Sequence, residues 1–172
     1  MKKKRQLDIF DFAMGLEKDG MNFYSKASEK FPSQDLKKLF VQLAKEEANH
    51  VKAFMDLKAN AEKKGGLQPF SIPDVNEFLE AIIQEGLFPK GEDAARRLEK
   101  IDTVAGAAVL AMQAEKNAIL LYSELARLSK DAQQKKAFEN LAKEEKSHIV
   151  IVKNLRADND PAYAALAFGR FF

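Results

Sequence analysis

The chain repeats itself, and the repeat limits its fold more than any other feature of its 172 residues. Shifted by 98 positions without gaps, Ala13–Leu57 aligns with Ala111–Leu155, and 16 of the 45 positions are identical. Ordinary residue frequencies would give about three. Met14, Glu17, Lys18, Tyr24 and Ser25 recur as Met112, Glu115, Lys116, Tyr122 and Ser123. Leu43-Ala44-Lys45-Glu46-Glu47 and His50 recur as Leu141-Ala142-Lys143-Glu144-Glu145 and His148. The chain's 2 histidines therefore sit at equivalent places. The halves share polar residues more strictly than packing requires.

Each half reads as a pair of helices. Pro32-Ser33 separates a first predicted helix, Leu7–Phe31, from a second, Gln34–Lys64, which Gly65-Gly66 stops. Residues 65–101 contain Pro69, Pro73, Pro89, Gly86 and Gly91 and cannot form one long helix. Within them, Asp74 followed by Glu77 predicts a cap for a short helix, Val75–Glu85. Asp102-Thr103 caps a third long helix to Leu128, and Asp131 opens a fourth to Arg156. In the tail, residues 157–172, Pro161 starts a brief helix, Ala162–Phe168. Phe40, Leu43, Ala44, Val51, Phe54 and Leu57 keep helical spacing in the second helix, as Phe138, Leu141, Ala142, Ile149, Val152 and Leu155 do in the fourth. Nothing alternates as a strand would. The expected fold is a single all-α domain over residues 1–172: a four-helix bundle of helix pairs 7–64 and 102–156 with one long crossover.

Composition then excludes whole classes of chemistry. With 0 cysteines, the 172 residues offer no disulfide, thiolate zinc site, cysteine nucleophile or iron–sulfur cluster. A net charge of +2 leaves no footprint for nucleic acid. The basic start, Met1-Lys2-Lys3-Lys4-Arg5, resembles a signal n-region, but Asp8, Asp11 and Glu17 interrupt the apolar stretch that should follow. It reads as a solvated terminus. The longest uncharged run outside the tail, Thr103–Ala114, is 12 residues, too short to span a bilayer. A cytoplasmic protein with no membrane span is expected. With so few imidazoles and no thiol, a metal site would have to rest on carboxylates.

The helical stripes bring such a set together. Glu17 lies in the middle of a face with Phe10, Ala13, Met14, Met21 and Tyr24, and Glu115 lies in the middle of the equivalent face. Glu47 and His50 are i,i+3 neighbours on the inward side of the second helix, and Glu145 and His148 repeat the arrangement on the fourth. Four ionised carboxylates in an apolar interior each cost several kcal/mol even after relaxation. No lysine or arginine on these stripes compensates them. Two divalent cations would cancel the charge. One Glu from each of two helices plus Glu-x-x-His from each of the others is the ligand pattern of di-iron carboxylate bundles, and its oxygen-rich donor set suits iron or manganese.

The stretches Glu17-Lys-Asp-Gly-Met-Asn-Phe-Tyr24 and Glu115-Lys-Asn-Ala-Ile-Leu-Leu-Tyr122, with the two Ala-Lys-Glu-Glu-x-x-His segments, resemble the rubrerythrin branch of the ferritin-like di-iron superfamily. The resemblance covers the four long helices. It implies a ferritin-like bundle holding two iron ions, with manganese or zinc as alternative occupants. The implied ligands are Glu17, Glu47, His50, Glu115, Glu145 and His148, with Glu47 and Glu145 bridging. It further implies an oxidoreductase that reduces hydrogen peroxide, with dioxygen as the competing oxidant, and a homodimer or higher homo-oligomer. Two departures matter. Rubrerythrins usually carry a second Glu three residues after the third-helix ligand; here that residue is Ala118. The site is then a symmetric six-ligand one, closer to bacterioferritin or to quinone-hydroxylating di-iron proteins. Bacterioferritin's haem-ligating Met is replaced by Ala48. The rubredoxin domain of full-length rubrerythrin needs four cysteines, so electrons are expected from an external donor such as rubredoxin. Competing readings are a ferroxidase or iron-handling protein, a quinone hydroxylase at a membrane, and a non-enzymatic metal-stabilised bundle acting as a docking module.

Tyr24 and Tyr122 each follow a ligand Glu by seven residues, two turns along one face. Their recurrence favours hydrogen bonds to ligand carboxylates on a neighbouring helix over plain aromatic packing. Glu46 and Glu144 point about 100° away from their neighbours around the helix and read as solvated charge. The tail's Phe168, Phe171 and Phe172 either cap the bundle end or dock on a partner.

Overall fold

Pro32 has no amide hydrogen to give a continuing helix, and the chain reverses there. The computed structural model describes residues 9–63 and 97–169. Helix α1 (Ile9–Lys30) and α2 (Gln34–Lys63) form the first pair; α3 (Val104–Leu128) and α4 (Ala132–Asn159) form the second; α5 (Pro161–Phe168) follows. Among the described residues there is no strand. The expected short helix Val75–Glu85 lies outside the described residues, as do the basic start, Phe171 and Phe172.

The boundaries follow the local chemistry. Thr103 accepts a bond from the Gly106 amide (3.1 Å), and Asp131 accepts one from Gln134 (2.8 Å). Gly106 is also a packing requirement: a Cβ there would lie 2.9 Å from Ile101 Cγ2. Helix α4 extends past Arg156 to Asn159, and α5 begins at Pro161, one residue earlier than the spacing suggested. Asp160 marks that junction, its carboxylate accepting from the Tyr163 amide at 3.0 Å. The tail helix buries no residue. It is held to α4 from outside, with Arg156 3.9 Å above the Tyr163 ring and Lys153 4.6 Å above Phe168.

Within each pair the helices run antiparallel across three-residue turns, and aromatic rings join the pairs. Phe138 of α4 stacks on Phe10 of α1 (6.2 Å between centroids) and meets Phe54 of α2 (6.0 Å). Phe54 also meets Tyr122 of α3 (5.6 Å). The start of α1, the later part of α2 and the start of α4 therefore share one end of the bundle. At the other end Lys30 donates to the carbonyls of Leu98 (2.5 Å) and Glu99 (2.9 Å), tying the close of α1 to the approach to α3. Helices α2 and α3 thus end and begin at opposite ends, which is the one-crossover bundle expected. By length and composition α3 is the one described helix that could cross a bilayer. Its alanine-rich face is instead core, carrying the buried Glu115 and Tyr122 into the bundle.

Phe138 of α4 packs against rings from two other helices. Replacing it with alanine should lower unfolding free energy by about 3–5 kcal/mol. Leu166→Ala, at a side chain 66% exposed, should stay within about 0.5 kcal/mol. Urea denaturation of the two variants checks the contrast.

Candidate metal centre

Helical spacing aims one polar group per turn inward at the bundle's middle. Glu17, Glu47, His50, Glu115, Glu145 and His148 are all at most 3% exposed. With Ser28 they are the only buried polar or charged residues among those described, so no buried lysine or arginine balances the carboxylates. The six come together in two overlapping groups, Glu17–Glu47–His50–Glu145 and Glu47–Glu115–Glu145–His148, whose ligand atoms lie within 4.8 Å of one another. Glu47 and Glu145 belong to both. The imidazoles stack across the centre, ring centroids 5.6 Å apart.

Around each imidazole Nδ1 the oxygens crowd from three sides. His50 Nδ1 is 3.1 Å from Glu145, 3.3 Å from Glu17 and 3.4 Å from Glu47. His148 Nδ1 is 3.0 Å from Glu145, 3.5 Å from Glu115 and 3.8 Å from Glu47. Yet His148 Nδ1, both Glu145 oxygens and Glu115 Oε2 are buried without an aligned hydrogen bond. Buried polar atoms left so cost free energy, and here they converge on a common space. That is the arrangement a pair of cations can satisfy, with one imidazole nitrogen to each and two carboxylates shared.

The surroundings hold these groups in place by pairing across the repeat. Tyr24 of α1 donates to Glu115 of α3, and Tyr122 of α3 donates to Glu17 of α1. Burial, then the nearby carboxylates, raises both phenol pKa values, so both stay protonated donors. Glu46 and Glu144 correct the sequence reading. Glu144 lies 2.9 Å from His50 Nε2, and Glu46 lies 2.9 Å from His148 Nε2. Each half-exposed carboxylate takes the outer nitrogen of the other half's histidine, which fixes the tautomer and turns Nδ1 inward. Their recurrence in the repeat was a usable signal. Lys45 recurs as Lys143 and is exposed, so recurrence alone did not separate the two cases.

Metal-free, the cluster must balance itself with protons. Burial opposes charge on His148, but Glu115 and Glu145 outweigh it and raise its pKa to about 10. The same contest, won by Glu145, Glu17 and Glu47, raises His50 further. Burial raises Glu115 to about 8, against the pull of His148. Burial and the charge of Glu17 push Glu47 up. Glu145 goes the other way, because the two imidazoles overcome its burial.

Beside the carboxylates lies a cavity of about 10 Å³ bounded by Leu16, Ala118 and Tyr122. That is room on the order of one water molecule. Ala118 stands where a further Glu would fill this space.

Comparison with known protein families matches residues 8–156 to the rubrerythrin model. The chain belongs to the rubrerythrin family. No curated protein and no solved structure matched significantly. The family match covers the first three long helices and the fourth to Arg156, and so includes every residue of the cluster. A rubrerythrin-family chain with two carboxylate–histidine groups sharing two glutamates is compatible with a di-iron site.

Two outcomes follow. His148 and Glu115 both have folded pKa values above their unfolded ones, so each binds a proton more tightly when folded. Their stabilisation is present in mild acid and lost as pH rises through about 8 for Glu115 and about 10 for His148. Glu145, held low, adds stability that disappears only in stronger acid. The chelator-stripped protein should therefore melt at steadily lower temperature from about pH 6 to pH 10, while metal-loaded protein holds its Tm. Calorimetry across that range checks it. Separately, Glu46→Gln with Glu144→Gln should weaken metal binding by about tenfold or more, measured by competition with a chromophoric chelator.

Proposed function

We propose that this chain is a di-iron oxidoreductase of rubrerythrin type that reduces hydrogen peroxide with electrons from an external donor. The observation that carries the reading is the pair of buried groups sharing Glu47 and Glu145 within a rubrerythrin-family bundle. Glu17, Glu47, His50, Glu115, Glu145 and His148 are the ligands in this reading, with the shared glutamates bridging. Bound ferrous iron supplies the two electrons that, with two protons, convert hydrogen peroxide to two waters.

The chain's own residues define what can react there. Tyr24 and Tyr122 orient Glu115 and Glu17 through their phenol hydrogen bonds, and Glu46 and Glu144 orient the imidazoles. The small cavity at Leu16 and Ala118 has room on the order of one water molecule and none for a quinone ring. With 0 cysteines, the 172 residues contain no iron–sulfur relay of their own, and rubredoxin fits the role of electron donor in this reading.

Ala118 favours one competing reading. Without a fifth carboxylate the site is symmetric, as an iron-oxidising centre would be. Anaerobic stopped-flow mixing separates the two. Iron-loaded, reduced protein should react faster with hydrogen peroxide than with dioxygen, consuming about one peroxide per metal pair before stopping. Adding rubredoxin, its reductase and a nicotinamide donor should restore turnover. Faster oxidation by dioxygen, with further Fe²⁺ oxidised and retained, overturns the peroxidase reading in favour of iron handling.

A further inference from the structure

The small cavity beside the carboxylates breaks the symmetry that the cluster keeps. Glu17, Glu47, Glu115 and Glu145 all line it, and the repeat exchanges them in pairs. Its remaining walls are Leu16, Ala118 and Tyr122, whose equivalents in the other half are Ala114, Gly20 and Tyr24. None of those equivalents lines the cavity. The open space therefore lies to one side of the axis that relates the halves.

Exposure differs in the same sense. Leu16 and Ala118 are 6% and 5% exposed, whereas Ala114 is 0% exposed and Gly20 is buried. Rings close in on the other tyrosine: Phe23 meets Tyr24 edge-on at 5.3 Å, and Phe40 stacks on it at 6.3 Å. Leu121 takes the place of Phe23 in the second half. The repeat thus leaves a slight opening at Leu16 and Ala118 and seals its counterpart.

Hydrogen peroxide and dioxygen are both larger than the single water molecule this cavity can hold. A wall must move for either to enter. Ala118 offers only a methyl group, and Tyr122 is tied to Glu17 by its phenol. Leu16 can change rotamer without giving up a hydrogen bond. We infer that molecules reach the carboxylates from one side only, between α1 and α3, and that Leu16 is the side chain that yields to them and limits their size. The inference rests on the proposed metal pair, since it assigns Leu16 a part in what that pair meets.

Azide, a linear triatomic anion, is the probe. Its binding to the iron-loaded, oxidised full chain is followed by stopped-flow absorbance, with metal content and circular dichroism measured on every variant. Leu16→Ala, which installs the residue of the other half, should speed azide binding by about tenfold or more. Leu16→Val should fall between it and the wild type, and decides the matter if the alanine variant misfolds. Ala118→Val, on the facing wall, should slow binding, a direction that general loosening of the bundle would not give. Ala114→Gly, on the sealed side, should leave the rate as it was. Folded Leu16 variants that hold two metals and bind azide at the wild-type rate overturn the proposal. So does an Ala114→Gly rate raised as far as that of Leu16→Ala, which would make both sides open. A wild type without a metal pair overturns the proposed function itself, and this inference with it.

Discussion

Four carboxylates converge in the middle of an apolar bundle, and everything around them is arranged to make that tolerable. Each would carry a desolvation penalty of several kcal/mol if left ionised and unpaired. No lysine or arginine is buried among the described residues to meet them. Two imidazoles, two phenols and a pair of outer glutamates are what the chain supplies instead. Without metal, protons serve this balance, since the pKa values of His50, His148, Glu47 and Glu115 are all raised by their surroundings. Two cations would serve it better, since they also satisfy the buried oxygens that have no aligned hydrogen bond.

The same groups hold the halves of the bundle to each other. Tyr24 reaches Glu115, Tyr122 reaches Glu17, Glu144 reaches His50 and Glu46 reaches His148. Every one of these contacts crosses from one helix pair to the other. On one side of the centre, Phe10, Phe54 and Phe138 add apolar contacts between the pairs. Site and tertiary structure are therefore one set of interactions. Loosening the polar centre weakens the union of the halves as well as the geometry of the cluster.

Much of this was legible in the sequence because the repeat removed coincidence. A single Glu-x-x-His on a helix is ordinary surface charge; two copies, each 30 residues after an apolar-face Glu, are not. Helix caps at Thr103 and Asp131 were readable from their side chains, and the phenol bonds from the two-turn spacing of tyrosine to glutamate. Glu46 and Glu144 were misread because helical angle gives a direction from one helix alone. The opposing pair wraps close enough to meet a side chain 100° off the inward direction, and only the assembled bundle reveals it. Helix α4 runs past the expected Arg156 for a similar reason: Asp160 caps the following helix, and no residue before it interrupts α4.

The most direct test of a two-metal centre is anomalous diffraction at the iron edge from crystals of iron-loaded protein. Two peaks per chain are predicted, one beside each imidazole Nδ1, with Glu47 and Glu145 reaching both. A single peak, or peaks only at surface carboxylates, would contradict the account.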